Sequence, residues 1–190
     1  VHPNLYGDTK THFFALWTTD GYKKTICYNH GCPTFVSLNP SEFGLGSVIE
    51  KVSTYNGEQV DITIKIRRDK ASGNWWLSYG PSGSHRDLIP IGYWKGSIFT
   101  GLADNASIIL WGGRTSYAEN MKGPPMGSGH FSTEGYGKAA GFTDITAIDV
   151  DGKYYDPDKM IGFMDRPDCY DISELRKSKF FYGGPAGCSK

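Results

Sequence analysis

The 190-residue chain is long enough for one domain with a substantial hydrophobic core, and we expect a single domain over residues 1–190. Its 20 basic and 20 acidic residues cancel, which argues against a nucleic-acid partner, because such a partner requires a basic face. No run of 18 apolar residues occurs, so we expect no membrane span. The 25 glycines and 10 prolines, with 14% aromatic residues, favour an all-β protein with many turns.

The first half of the chain predicts a series of strands separated by turns. Strands are expected at residues 11–18 and 24–28, joined by a turn at Asp20-Gly21, and at residues 32–37. Apolar and polar residues alternate along 59–67, which predicts a strand with one buried and one solvated face. A turn over residues 69–74 and a strand at 75–79 would complete a hairpin.

The second half predicts further strands at residues 88–94, 107–111, 142–150 and 177–182. A short helix is expected at 97–106, because Ile98, Leu102 and Ala103 would share one side. A basic cluster is interpreted as a solvated strand end. Its members are Lys65, Arg67, Arg68 and Lys70. The expected fold is an all-β sandwich of two antiparallel sheets with one short helix.

The four cysteines allow three disulfide pairings. We favour the two local pairs, Cys27 with Cys32 and Cys169 with Cys188. A zinc site is the alternative, but the spacing does not match the usual paired ligands, so we expect neither metal nor cofactor. The sequence Asn105-Ala106-Ser107 is a glycosylation acceptor motif. Disulfides and a glycosylated Asn105 both indicate a secreted, extracellular protein.

Short motifs in a fixed order run through nearly the whole chain. They include VHPNLYGD at 1–8, WTTDG at 17–21, WGG at 111–113, MGSGHF at 126–131, GKAA at 137–140 and CYDI at 169–172. Together they resemble the neprosin family, the plant glutamic endopeptidases that cleave at proline. The resemblance implies two stacked antiparallel sheets with a long groove.

Arg114 departs from the pattern of that family. In active relatives the residue after Trp-Gly-Gly is a glutamate, one of two catalytic carboxylates, and here it is arginine. The other glutamate would lie on a strand before Val1, so the resemblance implies that this sequence lacks the N-terminal strand of the family. Arginine cannot accept a proton, because its guanidinium group stays protonated in proteins. We therefore expect no peptidase activity.

The sequence offers three acids as candidate replacements for the catalytic pair. Asp8 is interpreted as a turn cap, and Glu119 and Glu134 as solvated or salt-bridged acids. A serine–histidine mechanism through Ser128 and His130 would need a third, orienting group, and the two residues would project from the same loop. His130 is instead interpreted as a hydrogen-bonded residue of a glycine-rich loop.

The groove implied by the resemblance is expected to present Arg114, Trp76, Trp94, Tyr117 and His130. Aromatic rings stack equally well on proline and on sugars, so the ligand is expected to be a peptide or a glycan. Two alternatives remain. One is an active glutamic prolyl endopeptidase completed by a separate N-terminal segment, and the other is a lectin-like carbohydrate-binding module.

Overall fold

A computed structural model of the chain describes residues 2–38, 43–81, 87–157, 159–176 and 178–187. In these ranges the chain forms antiparallel sheets with one α-helix, α1 (Pro3–Tyr6), which confirms the predicted all-β class. None of the helices in the described ranges is long and apolar enough to cross a membrane. The chain divides into unit 1, Val1–Val52 with Val60–Ile108, and unit 2, Ser53–Gln59 with Ile109–Lys190.

Unit 1 contains a four-stranded antiparallel sheet and a separate strand pair. Its strands are β1 (Leu16–Trp17), β2 (Cys27–Tyr28), β3 (Phe35–Ser37), β4 (Ile62–Arg68), β5 (Trp75–Pro81) and β6 (Ile89–Trp94). The sheet order is β3-β6-β5-β4, and β1 pairs with β2. The predicted hairpin is confirmed, because β4 and β5 pair along their whole length, from Ile62 opposite Pro81 to Arg68 opposite Trp75.

The core of unit 1 lies on one face of this sheet. Leu77, Ile91 and Trp94 are buried there against Phe13 and Trp17, which come from the N-terminal segment. The expected disulfide between Cys27 and Cys32 is present next to this core, and it joins the first residue of β2 to the segment before β3. Cys27 is itself buried, so the disulfide contributes apolar surface to the core as well as a covalent link.

The predicted burial of the isoleucine face of β4 is wrong. Ile64 and Ile66 lie opposite Tyr79 and Leu77, so they do point toward the core side of the sheet. They are nevertheless exposed, Ile64 by 50%, because β4 is the last strand in the sheet order and the core ends at β5. Alternation correctly predicted which side chains share a face, but not the position of the strand in its sheet.

The expected helix at 97–106 is also wrong. Only a 3-10 turn, Gly96–Ile98, forms there. The carbonyl groups that follow accept hydrogen bonds from distant side chains: Leu102 from Trp75 Nε1 at 2.8 Å, and Ala103 from Arg68 Nε at 2.8 Å. Those carbonyls are therefore engaged by the sheet rather than by a helical ladder. The actual helix, α1, has proline in its first turn and ends at Gly7 in the left-handed region, with φ of 75°.

A histidine whose ring makes two hydrogen bonds holds the N-terminal motif in place. His12 Nδ1 donates to the carbonyl of Gly46 at 2.7 Å, and Nε2 donates to the carboxylate of Asp8 at 3.0 Å. The ring stacks on Tyr6 with 3.7 Å between centroids. Both partners are acceptors, so the geometry favours the protonated ring. The Gly46 carbonyl, followed by Asp8, raises the pKa of His12, and the hydrogen bond from His12 lowers the pKa of Asp8. The predicted turn-capping role of Asp8 is confirmed, since it also accepts from the backbone N–H of Lys10.

Unit 2 contains a three-stranded sheet of order β10-β11-β7 and a pair, β8-β9. These strands are β7 (Ala140–Phe142), β8 (Ala147–Ile148), β9 (Tyr154–Tyr155), β10 (Asp171–Ile172) and β11 (Phe180–Gly183). The predicted strand at 142–150 is thus replaced by two short ones. Asp144, between them, has φ of 54°, which interrupts extended backbone.

The apolar run at 107–111 does not form the strand that was predicted. It has no partner strand in the described part of the chain, and Leu110 is 87% exposed. The last predicted strand is largely confirmed by β11, although Lys177 lies outside the described residues. Cys188, the expected partner of Cys169, also lies outside them. Cys169 is buried and disulfide-bonded.

Candidate functional site

Arg114 lies in unit 2, on a loop held by close packing of the preceding glycine. A side chain at Gly113 would place its Cβ 2.5 Å from Cε2 of Tyr182 and 2.8 Å from Cγ of Met126. Only glycine therefore allows this loop to approach β11 so closely. Arg114 itself is exposed, and within the described ranges its guanidinium has neither a hydrogen bond nor an ion pair.

The loop that contains His130 is fixed to the C-terminal end of the same strand of unit 2, at Gly183 and the following Gly184. Met126 forms an isolated antiparallel bridge with Gly184, and its N–H donates to the Gly184 carbonyl at 3.0 Å. The turn that follows is closed by the N–H of Gly129, which donates to the Met126 carbonyl at 3.0 Å. Met126 also packs against Gly113, so it links the loop of His130 to the loop of Arg114. The structure places Arg114 and His130 on two adjacent loops that both rest on β11.

His130 belongs to a three-residue group that we call the Tyr55 cluster: Tyr55, His130 and Glu134. The Tyr55 hydroxyl donates to Glu134 Oε2 at 2.8 Å, and His130 Nδ1 donates to Glu134 Oε1 at 2.9 Å. The two rings stack with 4.1 Å between centroids. A 3-10 turn, Ser132–Glu134, brings the carboxylate back toward the histidine. The expected hydrogen-bonded role of His130 is therefore what the structure shows.

The Tyr55 cluster is a poor substitute for a general base. The hydrogen bond from Tyr55, and after it the one from His130, lowers the pKa of Glu134, and the same bond to Glu134 raises the pKa of Tyr55. A carboxylate with a depressed pKa accepts protons less readily, so Glu134 is less suited to activating water. The remaining hydrogen-bonding atom of the His130 ring is Nε2. The side chain of His130 is 38% exposed, so the ring offers a contact to a ligand.

Ser128 and His130 do not form a nucleophile–base pair. The Ser128 hydroxyl accepts a hydrogen bond from the backbone N–H of His130 at 3.4 Å, while the His130 ring is directed to Glu134. A serine nucleophile would require its hydroxyl to face the ring nitrogen. The absence of that contact agrees with the structural role predicted for His130.

Tyr117, another predicted groove residue, lies in unit 2 beside an arginine that sequence reasoning did not single out. Arg166 Nη1 donates to the Tyr117 hydroxyl at 3.4 Å, and Arg166 Nη2 pairs with Asp168 at 2.8 Å. The hydrogen bond with Asp168 raises the pKa of Arg166 and lowers that of Asp168. Arg166 and Asp168 are only two residues apart, but their link to Tyr117 spans 49 positions and leaves no local signal in the sequence.

The two tryptophans predicted for the groove belong to unit 1. Trp94 is buried in the core, where its ring packs 4.7 Å from Phe35 and 6.2 Å from Trp17, centroid to centroid. That position leaves little of its surface for a ligand. Trp76 is half-buried on the opposite face of the sheet, and the glycosylation candidate Asn105 lies on an exposed loop. Among the described residues, no three histidine, cysteine or carboxylate side chains gather in a way that could hold a metal ion.

The stability that Glu134 contributes should depend on pH. Because its pKa is depressed in the folded state, its contribution is present above the pKa of the unfolded chain, about 4.3, and is lost as pH falls through the folded pKa. We expect Glu134→Gln to lower the melting temperature at pH 7 and to have no effect at pH values low enough to protonate Glu134. Thermal melts from pH 2 to 7 measure this. Glu119→Gln removes the same charge from an exposed loop and serves as control. A Glu134→Gln deficit that persists unchanged at the lowest pH would contradict the charge-based account.

The comparison with protein families agrees with the motifs and with this geometry. The model of the neprosin family matches residues 1–185, which is nearly the whole chain. The match includes both loops that rest on β11 and the segment that contains Tyr55. The chain belongs to the neprosin family.

Proposed function

We propose that this protein is a secreted member of the neprosin family that lacks the peptidase activity of its active relatives and binds a peptide through the surface around Arg114. The observation that carries the proposal is the arginine at the position where the resemblance implies a catalytic glutamate. A guanidinium remains protonated at every pH at which such an enzyme would work, so it cannot take a proton from water.

The surroundings of Arg114 support binding rather than hydrolysis. Its exposed guanidinium has no ionic partner in the described part of the chain, so its five N–H donors are available to a ligand. The exposed side of His130 adds a further polar contact. The carboxylate of the Tyr55 cluster, Glu134, is bound by Tyr55 and His130. Carbonyl oxygens of an extended peptide are suitable acceptors for such donors.

Secretion rests on separate support. The Cys27–Cys32 disulfide is typical of proteins that fold in an oxidising compartment. Asn105, in its acceptor motif, is exposed and therefore accessible to glycosylation. Intact-mass measurement of the protein from its natural source, before and after removal of N-linked glycans, tests this part. A mass unchanged by the treatment would contradict glycosylation at Asn105.

The proposal is tested by incubating the purified protein with proline-containing peptides at acid pH and analysing the products by mass spectrometry. We expect no cleavage above background. General acid–base catalysis is worth roughly 10²–10⁴ in rate, and its loss should be evident against an active relative assayed in parallel. Cleavage that disappears in Arg114→Ala would overturn the proposal, because the arginine would then serve the reaction.

Binding is measured on the same peptides by fluorescence anisotropy. We expect Arg114→Ala to weaken binding roughly two- to fivefold, the effect of one partly exposed charged contact, and Lys153→Ala, an exposed cation in the turn between β8 and β9, to leave it unchanged. Equal losses in the two variants would show that only net charge matters. No binding by the unmodified protein would overturn the ligand-binding part.

A further inference from the structure

One face of the four-stranded sheet of unit 1 combines two cations with two aromatic rings. Lys65 and Arg67 lie two positions apart on β4, so their side chains project from the same face. Arg67 lies opposite Trp76 on β5, and Trp76 lies opposite Tyr93 on β6. The strand register therefore aligns a guanidinium, an indole and a phenol in one row across three strands.

We call this surface the Trp76 face. It contains an open pocket of about 250 Å³ lined by Lys65, Arg67, Trp76, Ser78, Leu88 and Pro90. The rings of Trp76 and Tyr93 are 4.8 Å apart and tilted by 33°, and both side chains are half-buried. The pair therefore forms a supported aromatic floor with basic groups along one side. It lies on the opposite side of the sheet from Leu77 and the core.

The basic cluster was interpreted from the sequence as a solvated strand end. In the structure its four members do not lie in one place. Arg68 projects from the other face of β4 and donates to the carbonyl of Ala103, and Lys70 lies in the turn after the strand. Lys65 and Arg67 are left together on the Trp76 face. Their position is set by the two-residue period of the strand, so it is a property of the sheet rather than of a mobile end.

The described residues that line the pocket include two cations and no acid. Asp69, which follows the end of β4, interacts electrostatically with Arg67. Asp69 accepts hydrogen bonds from the backbone N–H of Ser72 at 2.8 Å and from its hydroxyl at 2.6 Å. These bonds are the main reason why the pKa of Asp69 is lowered, and Arg67 makes a smaller contribution. Asp69 is therefore committed chiefly to its own turn.

We propose that the Trp76 face binds an acidic oligosaccharide, with one uronic acid ring stacked on Trp76 and its carboxylate paired with Arg67. Residues directly opposite each other on antiparallel strands have Cβ atoms about 4.5–5.5 Å apart. A uronic acid has its carboxylate attached to the sugar ring, so one monosaccharide spans the distance from indole to guanidinium. Arginine suits this role, because its planar fork matches a carboxylate.

The remaining lining fits the same ligand. The Ser78 hydroxyl can both donate and accept hydrogen bonds, which matches the hydroxyl groups of a sugar. The apolar Leu88 and Pro90 extend the floor on which a second ring would lie. A flexible acidic peptide offers carboxylates without a ring fixed beside each of them, so it would use the cations and leave the indole unoccupied. The argument for this site uses none of the residues on which the proposed function depends, since Arg114 and His130 belong to unit 2.

The test measures binding of a galacturonic acid hexamer to the whole protein by calorimetry and by tryptophan fluorescence at low ionic strength. We expect saturable binding with a change in fluorescence, and Arg67→Gln should weaken it roughly two- to fivefold. Lys24→Gln removes the same charge from an exposed turn between β1 and β2, and it should change nothing. Trp76→Phe retains an aromatic ring and should reduce both the affinity and the fluorescence change.

Two further probes separate the contribution of the sugar rings to binding from that of the negative charge. The fully methyl-esterified hexamer has the same rings without charge, and hexaglutamate has the charge without rings; both should bind more weakly than the acidic hexamer. No binding of the acidic hexamer would overturn the proposal. Equal affinity for hexaglutamate would indicate an acidic peptide instead, and equal affinity for the ester would remove the role of Arg67. A loss in Lys24→Gln as large as in Arg67→Gln would reduce the effect to net charge.

Discussion

Replacing Leu77 with alanine is expected to lower the free energy of unfolding by about 2–5 kcal/mol. Leu77 lies in the middle of β5 and is only 3% exposed, the centre of the core face of unit 1. Ile66 and Gly92 flank it on the neighbouring strands. Glycine has no side chain that could move into the space. The alanine variant would therefore lose the buried methyl groups and also leave a cavity.

Chemical denaturation followed by circular dichroism measures the effect, with Ile64→Ala as a matched control. Ile64 points to the same side of the same sheet, but it is 50% exposed on the edge strand. We expect its truncation to cost about 1 kcal/mol or less, since half of its surface is already in water. Equal losses in the two variants would contradict the position of β4 outside the core.

These two residues also show how far the sequence predicts the fold. The alternation along 59–67 and the turn at 69–74 correctly predicted a hairpin, because both signals are local. Neither signal says where β4 lies in the sheet, which depends on the pairing of β5 with β6 and of β6 with β3. The isoleucine face was therefore predicted to be buried, although no strand of the described ranges follows β4 in the sheet.

The helix expected at 97–106 failed for a related reason. Helical spacing of three apolar residues is a weak signal, and here Arg68 and Trp75 engage the carbonyls of Ala103 and Leu102. Those donors lie 35 and 27 residues earlier in the chain, so no window of local sequence could reveal them. Tertiary hydrogen bonding outweighed local propensity.

The candidate site divides in the same way. Arg114 could be identified from the motif that surrounds it, and His130 with Glu134 has the spacing of a local pair. Tyr55 could not be anticipated, because 79 residues separate it from the carboxylate to which it donates. The pairing of Arg67 with Trp76 likewise requires the register of β4 against β5, although alternation alone places Lys65 and Arg67 on one face.

Gly183→Ala is expected to destabilise the protein by roughly 3 kcal/mol or more and to disturb the candidate site at the same time. Gly183 ends β11 with φ of 155°, a value that favours glycine. A Cβ there would collide with the carbonyl oxygen of His130 and come within 3.1 Å of the carbonyl oxygen of Met126. Both obstacles are backbone atoms, so relief requires movement of the loop that holds His130.

Gly152→Ala separates backbone strain from this collision, because Gly152 has φ of 83° but open space around its Cβ position. It should cost about 1–2 kcal/mol, the penalty for a side chain in the left-handed region, without affecting the site. Proton NMR of the His130 ring reports whether the candidate site is disturbed. The ring resonances should shift in Gly183→Ala and remain in place in Gly152→Ala. Unchanged His130 resonances in a destabilised Gly183→Ala protein would mean that the backbone of β11 moves to relieve the collision and the loop of His130 does not. The Tyr55 cluster would then not depend on the close approach of Gly183, and its geometry would have to be maintained by the hydrogen bonds of Glu134 alone.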